Sequence, residues 1–116
     1  MKKLIIGIRP IEEIREMTIA IAKGEYKLEQ NSPTVWFPSM KALCEILSDS
    51  NRKLLHAIKD ENPQSIKELA ELTNRQPSNV SRTIKTMSGY GLVEIERKNR
   101  NIVPKVKSTE FLIQVY

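Results

Sequence analysis

The sequence has very few of the residue types that build catalytic and metal centres. It contains one cysteine, Cys44, and one histidine, His56, in 116 residues. A single cysteine excludes a disulfide within the chain and a zinc cluster held by several thiolates. His56 has no acid or cysteine at ligand or triad spacing, so we interpret it as a surface or boundary residue. Cys44 lies on an apolar helix face, which predicts a buried structural thiol.

Carboxylates are present, but none is arranged for chemistry. They occur as adjacent or surface-periodic residues without a histidine, a metal-ligand partner or a glycine-rich phosphate loop beside them. The pairs are Glu12 and Glu13, Glu68 and Glu71, and Glu94 and Glu96. We therefore expect no enzymatic activity, no cofactor and no bound metal.

Long apolar runs are also absent. Residues 4–8 imitate the apolar part of a signal peptide, but Arg9, Pro10 and the acidic Glu12 and Glu13 end that run after a few residues. No stretch approaches the length of a transmembrane helix. We expect a cytoplasmic protein that does not bind membranes.

Charge is unevenly distributed along a chain that can bury one modest core. The formal net charge is +5. Residues 65–107 hold nine Lys or Arg and four Asp or Glu, so this segment accounts for the whole net charge, while residues 1–64 (+1) and 108–116 (−1) cancel. Local basic excess raises affinity for nucleic acid, although a basic chain alone is weak support for that function.

The first 24 residues predict a strand followed by a helix. Residues 4–8 are apolar and rich in β-branched side chains, as in a buried strand. Gly24 is suited to end the helix. The predicted buried face of that helix consists of Ile11, Ile14, Thr18, Ile21 and Ala22. An isolated strand leaves its edge unpaired, so this unit must pack on the main domain or on a second copy of the chain.

A connector and two helices are predicted next. Residues 25–38 contain two prolines and mixed polarity, and we interpret Trp36 as an anchor that seals this connector to the core. Ser39 is suited to cap a helix over residues 40–47, and Ser48 or Asp49 to cap another over about residues 52–59. The buried face of the second helix is predicted to be Leu54, Leu55 and Ile58.

Residues 65–88 have the pattern of a helix-turn-helix. Ser65 and Glu68 are spaced as a capping box. The apolar face of the first helix is predicted to be Ile66, Leu69, Ala70 and Leu72. Asn74 can take the left-handed conformation in the turn, and Pro77 suits the first turn of the second helix. Val80, Ile84 and Met87 are predicted to point inward.

The opposite side of the second helix is polar and predicts DNA contacts. A helix in the major groove needs short polar or long flexible side chains near its N-terminal end. We expect Asn79 and Arg82 to reach base edges and Lys85 to reach a phosphate. Polar side chains on a helix surface also arise from solvation alone, and Arg82 can instead form a surface salt bridge.

A basic hairpin follows. Val93 and Ile95 alternate with Glu94 and Glu96, and residues 97–101 are predicted to form the turn before a second strand. Pro104 favours an edge strand, because proline cannot donate to a ladder. The full set of predicted DNA-contacting residues is Ser65, Arg75, Gln76, Ser78, Asn79, Ser81, Arg82, Lys85, Arg97, Lys98, Asn99 and Arg100.

These motifs together resemble a known family. Residues 68–73 (ELAELT), 80–85 (VSRTIK) and 91–93 (GLV) are similar to the MarR-like winged-helix transcriptional regulators over about residues 48–107. The element order and residues 37–40 (FPSM) resemble a prokaryotic, antitoxin-like branch. The resemblance implies a mainly α chain with a small β component (α+β), namely a winged helix-turn-helix with a two-stranded wing and an N-terminal strand-helix extension.

We divide the chain into an extension with its connector (residues 1–38), the winged helix-turn-helix domain (39–107) and a C-terminal strand (108–116). We expect a dimeric repressor that inserts helix 77–88 into the major groove of double-stranded DNA and rests wing 97–101 on the backbone or in the minor groove. The apolar terminal segments are the candidate homodimer elements, unless they pair with each other within one chain. The alternative function is a winged-helix protein-interaction module, such as an antitoxin-like partner of a toxin.

Overall fold

The computed structural model describes residues 3–26 and 32–116, and these residues form two β-sheets and five helices. The mainly α architecture with a small β component agrees with the predicted fold class. In chain order the elements are β1 (Leu4–Ile8), α1 (Ile11–Ala22), β2 (Val35–Phe37), α2 (Met40–Ile46), α3 (Asp49–Glu61), α4 (Ile66–Thr73), α5 (Pro77–Tyr90), β3 (Val93–Lys98), β4 (Asn101–Val106) and β5 (Phe111–Val115).

One sheet has three strands in the order β2-β1-β5, and all of them are parallel. Ile6 of β1 lies in register with Val35 on one side and with Ile113 on the other. The buried strand predicted over residues 4–8 is therefore confirmed, and it is the centre of the sheet. The connector prediction was wrong for residues 35–37, which form β2. The rest of that connector lies partly outside the described residues, at 27–31.

The C-terminal strand pairs with β1 within the same chain. Tyr116 N–H donates to the Ile8 carbonyl at 3.0 Å, and Leu4 N–H donates to the Glu110 carbonyl at 3.0 Å, one bond at each end of the ladder. The two terminal strands thus pair within one chain, which is one of the alternatives that the sequence left open. It also means that β1 has both edges covered, while β5 has one neighbour among the described strands.

The helix predicted after β1 is present, but its buried face was predicted wrongly. Met17 is the buried residue of α1, and Ile14 and Ile21 are half-buried beside it. Ile11, Thr18 and Ala22 are exposed. The face that packs is thus rotated around the helix toward Met17, which the sequence pattern did not identify.

Gly24 ends α1 as predicted. It has φ +74°, and its N–H donates to the Ile21 carbonyl at 3.1 Å. The N–H of Glu25 donates to the Ala20 carbonyl at 2.9 Å. This pair of bonds is the Schellman arrangement, which needs a left-handed residue at the position that Gly24 occupies.

The core runs without a break from the parallel sheet into the helices. Ile6 and Phe37 of the sheet are 0% exposed and belong to the same buried cluster as Leu54 of α3 and Ile84 of α5. The Phe37 ring stacks on Tyr90 with 4.3 Å between ring centroids. Because the sheet and α5 share these contacts, the orientation of α5 depends on the sheet beneath it.

The caps of α2 and α3 agree with the sequence. Ser39 Oγ accepts from Ala42 N–H at 3.1 Å, and Ser48 Oγ accepts from Asn51 N–H at 3.2 Å. Helix α3 is longer at both ends than the predicted 52–59, and α2 ends one residue before the predicted 47. The prediction of Leu54, Leu55 and Ile58 as the buried face of α3 is confirmed.

The exposure of His56 and of Cys44 was predicted from the sequence and can be compared with the structure. His56 is exposed, as predicted. The prediction of a buried Cys44 was wrong, because the thiol is exposed on α2. Leu43 is the buried residue of α2, with Ala42 and Ile46 partly buried beside it, whereas Cys44 lies on the side of the helix that lines an open groove.

Trp36 anchors β2 to the sheet rather than to the core. A Cβ added at Gly7 would lie 2.3 Å from the Trp36 ring, so the indole packs directly on the glycine backbone. The Arg9 guanidinium carbon lies 5.1 Å from the centroid of this ring and 4.0 Å from that of Tyr116. The three side chains form a cation–π stack on the sheet face opposite Ile6.

None of the described helices combines the length and the apolar character needed to span a membrane.

Candidate nucleic-acid interface

Helix α4 begins at the predicted cap. Ser65 Oγ accepts from Glu68 N–H at 3.0 Å. The Glu68 carboxylate accepts from Gln64 N–H at 3.2 Å, one residue earlier than the Ser65 N–H of the predicted capping box. Leu69 and Ala70 are buried as predicted, but the prediction for Leu72 was wrong, since it is 46% exposed. The Ser65 hydroxyl is therefore already engaged in holding α4.

The turn between α4 and α5 is set by one residue. Asn74 has φ 54° and ψ 46°, the left-handed conformation that the sequence predicted. Arg75 N–H then donates to the Ala70 carbonyl at 3.0 Å, which closes the end of α4. Three residues, 74–76, separate the end of α4 from the start of α5 at Pro77.

Arg75 ties this turn to α3. Its guanidinium donates to Asn51 Oδ1 at 3.2 Å, and Asn51 Nδ2 donates to the Ile46 carbonyl at 3.0 Å. Asn51 thus joins the C-terminal end of α2 to the turn before α5. Arg75 is half-buried in this arrangement, so its contacts favour positioning of α5 over the direct DNA contact that the sequence predicted.

Helix α5 presents one apolar and one polar face. Val80, Ile84 and Met87 are buried as predicted. Pro77 occupies the first turn and Gly91, with φ +88°, ends the helix, which extends two residues beyond the predicted 88. Gln76 is the N-cap residue, but its side chain makes no capping bond. The exposed Gln76 amide is therefore available to a ligand at the N-terminal end of the helix.

The polar face of α5, here called the outer face, consists of Ser78, Asn79, Ser81, Arg82, Lys85 and Thr86. At 3.6 residues per turn, Ser78, Arg82 and Lys85 lie opposite the buried residues, with Asn79 and Ser81 on the two flanks. Ser81 is half-buried and the others are exposed. Thr86 was not predicted from the sequence; it lies one turn after Arg82, and its hydroxyl donates to the Arg82 carbonyl at 3.1 Å.

The two cations of the outer face carry no partner within the described part of the chain. The Arg82 guanidinium and the Lys85 ammonium make neither a hydrogen bond nor an ion pair to any described residue, while ion pairs are present elsewhere, as between Arg52 and Asp49. The alternative interpretation of Arg82 as half of a surface salt bridge is therefore not supported. Both charges are free to meet a phosphate or a base edge.

The wing consists of β3, β4 and the residues between them. The strands are antiparallel, with Val93 opposite Val106 and Lys98 opposite Asn101. The turn is shorter than the predicted 97–101, because residues 97, 98 and 101 belong to the strands and only Asn99 and Arg100 connect them. Pro104 lies opposite Ile95 in this two-stranded sheet, where each strand is an edge as predicted.

The wing cations differ in their partners. Lys98 lies 3.8 Å from the Glu96 carboxylate and Lys107 lies 3.7 Å from that of Glu94. Lys105 Nζ donates to Asn62 Oδ1 at 2.7 Å, which fastens the wing to the end of α3. Arg97 and Arg100 are exposed and have no such partner among the described residues. The free positive charge of the wing thus lies at its tip.

The backbone at the tip is unusual. Asn99 and Arg100 have φ values of +48° and +70°. Positive φ at both central residues of a two-residue turn is the type I′ pattern, in which glycine is favoured at the second position. An arginine occupies that position here, and its side chain projects from the far end of the hairpin.

The described residues hold no group of three or more His, Cys, Asp or Glu side chains close enough to bind a metal ion.

A three-helix unit (α3, α4 and α5) followed by an antiparallel hairpin defines the winged helix-turn-helix class. The chain belongs to the HVO_A0114 family, whose model matches residues 46–113, more than half of the sequence. The matched segment begins at the end of α2 and includes the helix-turn-helix, the wing and most of β5.

The chain also resembles solved structures. The chain is similar to a predicted DNA-binding transcriptional regulator from E. coli (26% identity, 59% of this chain, 73% of that chain, TM-score 0.47). It is also similar to the AntR antimony-specific transcriptional repressor (17% identity, 72% of this chain, 81% of that chain, TM-score 0.49). No curated protein matches the sequence significantly.

Proposed function

We propose that this protein is a sequence-specific, double-stranded DNA-binding transcriptional regulator that acts as a dimeric repressor. The observation that carries the proposal is the outer face of α5, where Arg82 and Lys85 are exposed and unpaired among the described residues. Both charges lie on the same exposed face as Ser78, opposite the buried residues of α5, and α5 is the second helix of the helix-turn-helix. The MarR-like assignment and a cytoplasmic location belong to this proposal.

The outer face suits the major groove. That groove is about 12 Å wide and admits one α-helix, provided that its side chains are polar and able to approach bases. Asn79 can pair bidentately with adenine and Arg82 with guanine, while Ser78 is small enough to allow close approach. Lys85, one turn further along, is assigned to a phosphate. Gln76 and Thr86 extend the same surface at either end.

The wing supplies a second contact. Arg97 and Arg100 are free cations on a narrow hairpin, which fits either the phosphate backbone or the negative potential of a narrow minor groove. Lys98 shares its charge with Glu96, so its contribution is smaller. Asn99 can donate to a phosphate from the tip.

The small size of one winged helix-turn-helix supports a dimer. Operators for helix-turn-helix dimers are palindromic, with half-sites about 34 Å apart, because the symmetry of the DNA matches that of the protein. One winged helix makes few base contacts, and two copies multiply both affinity and specificity.

The test compares DNA binding by two arginine variants. Fluorescence anisotropy measures affinity for the DNA upstream of the protein's own gene and for a scrambled duplex. Arg82→Ala should weaken specific binding by about 1–3 kcal/mol and reduce the preference over the scrambled duplex. Arg15→Ala is the matched control, because Arg15 is also exposed on a helix but lies on α1. It should leave specific binding unchanged.

An equal effect of the two variants would contradict the proposal, since it would reflect net charge alone. Weak binding that is equal for both duplexes and unchanged in both variants would contradict the proposal as well. It would direct the search to a protein partner, such as a toxin, for the winged helix.

A further inference from the structure

The outer edge of β5 is unpaired within the described part of the chain. Glu110 and Tyr116 direct their backbone bonds toward β1. Successive residues of a strand direct their N–H and C=O groups to opposite sides, so those of Phe111, Ile113 and Val115 point away from β1. Three donors and three acceptors therefore line the free edge.

This edge lacks the features that normally keep a strand from pairing with another chain. Residues 111–115 contain no charged residue and no proline. Leu112 is 48% exposed, Ile113 43% and Val115 64%. An apolar and uncharged free edge of this kind is a template for a further strand.

An apolar groove adjoins the same edge. It has a volume of about 390 Å³ and is mostly apolar, with Met40, Leu43, Cys44 and Leu47 on one side and Phe111 and Ile113 on the other, and Arg52 of α3 and Thr109 also line it. Phe111, Ile113 and Val115 share one face of the sheet, because alternate side chains point to the same side. A strand added beside β5 would place its own alternate side chains next to this groove.

We propose that a second copy of this chain occupies the edge, with the two β5 strands antiparallel and Ile113 opposite Ile113 of the second copy. This register puts Phe111 opposite Val115 of the other copy. The two-fold axis repeats the second pair, so there are three opposed pairs in all. Each pair exchanges two backbone hydrogen bonds, which gives six between the chains. The proposal rests on the dimeric function proposed above and identifies the surface that makes the dimer.

The features of this edge favour a second copy over an unrelated strand. The register around Ile113 is self-complementary, as a two-fold interface requires. No charge lies within the paired segment, so two identical strands do not repel each other. The two-fold axis is perpendicular to the sheet, so each copy keeps its buried face on the same side of a sheet ordered β2-β1-β5-β5-β1-β2. Both helix-turn-helix units then lie on one side, where a single DNA duplex can meet them.

The area buried by one strand pair and the two adjoining grooves is small compared with the roughly 800 Å² per partner that a stable interface buries. We therefore expect a dimer that dissociates on dilution. Sedimentation velocity of the full chain without DNA should show conversion from 13.3 kDa to twice that mass as concentration rises. Ile113→Lys places two like charges opposite each other and should shift the chain to monomer. Ile19→Lys is the matched control, since Ile19 is 55% exposed on α1, and it should leave the dimer intact.

A cross-link tests the register directly. In a Cys44→Ser background, Ile113→Cys should form a disulfide-linked dimer under mild diamide oxidation, because opposed Cα atoms lie about 5.5 Å apart. Val115→Cys should not, because its two copies lie about 14 Å apart along antiparallel strands. Cross-linking at 115 and not at 113 would overturn the register.

A chain that stays monomeric at all concentrations, or a dimer lost in Ile19→Lys and retained in Ile113→Lys, would overturn the proposal itself. Neither measurement uses DNA, so its result is independent of the Arg82 test. A monomeric chain whose specific DNA binding depends on Arg82 would overturn the β5 interface alone, and a dimer whose DNA binding is unchanged by Arg82→Ala would overturn the DNA-contact proposal alone.

Discussion

At Arg100, the residue type that would be most stable in the turn differs from the one that the proposed function requires. Its φ of +70° costs a side-chain-bearing residue about 1–2 kcal/mol relative to glycine. The turn would form more easily with glycine, as in the Asn-Gly pairs that type I′ turns favour. Residues held in such conformations concentrate where a side chain has a task to perform. In the proposed function, the task of Arg100 is to place a cation at the tip of the wing, where it meets DNA.

Replacing this arginine should therefore separate stability from binding. Arg100→Gly relieves the strained φ and should raise the free energy of unfolding by about 0.5–1 kcal/mol in urea denaturation, after allowing for the flexibility of glycine. It should also weaken DNA binding and reduce the slope of log affinity against log salt by about 0.9 for the lost phosphate contact.

Arg100→Ala is the matched variant, because it removes the cation and keeps the strained φ. It should show the same loss of affinity without the gain in stability. If Arg100→Gly gains stability and binds DNA with an unchanged salt dependence, the tip does not touch the backbone.

At the scale of elements, the turn between α4 and α5 is fixed by conformation rather than by a side-chain bond. Asn74 is left-handed, and its side chain makes no hydrogen bond to a described residue. Asn74→Ala should therefore lower the free energy of unfolding by about 1 kcal/mol, whereas Asn74→Gly should cost much less, because glycine accepts this φ freely. Urea denaturation of the two variants measures the difference. An equal loss in both would mean that the asparagine side chain itself holds the turn.

The helix-turn-helix and its caps could be predicted because their signals are local. Ser39, Ser48 and Ser65 cap within three residues, and Asn74 and Pro77 determine the turn through their own backbone preferences. The polar outer face of α5 follows from helical period alone, and for the same reason the sequence could identify Arg82 as a candidate. Whether Arg82 is paired depends on neighbours in space, which only the structure provides.

The parallel sheet could not be predicted in the same way. β2 is three residues long and begins after a proline-containing connector, and β5 pairs with β1 across almost the whole chain. Nothing local encodes pairings at that separation. The face of α1 and the exposure of Cys44 were mispredicted because partial packing leaves little apolar contrast on short helices. The wing turn was predicted too long because Arg97 and Lys98 are polar, although they lie in β3.

At the scale of the whole molecule, the sheet supports the elements that we propose contact DNA. Phe37 of β2 stacks on Tyr90 at the end of α5, and Ile6 of β1 belongs to the same core as Ile84. The sheet also carries the free edge of β5, at which we place the second copy. One small sheet thus orients α5 within a chain and, in the proposed dimer, sets the relation between the two copies of α5.

The central claim is that the outer face of α5 and the tip of the wing together hold DNA. The most direct measurement is a nitrogen-15 NMR titration of the protein with a duplex from its own upstream region, which reports on every backbone amide. We predict that the shifted amides concentrate in residues 76–86 and 97–101, with α1 and α2 unaffected. Shifts confined to α1 and β5, or spread evenly over all basic surfaces, would contradict the claim.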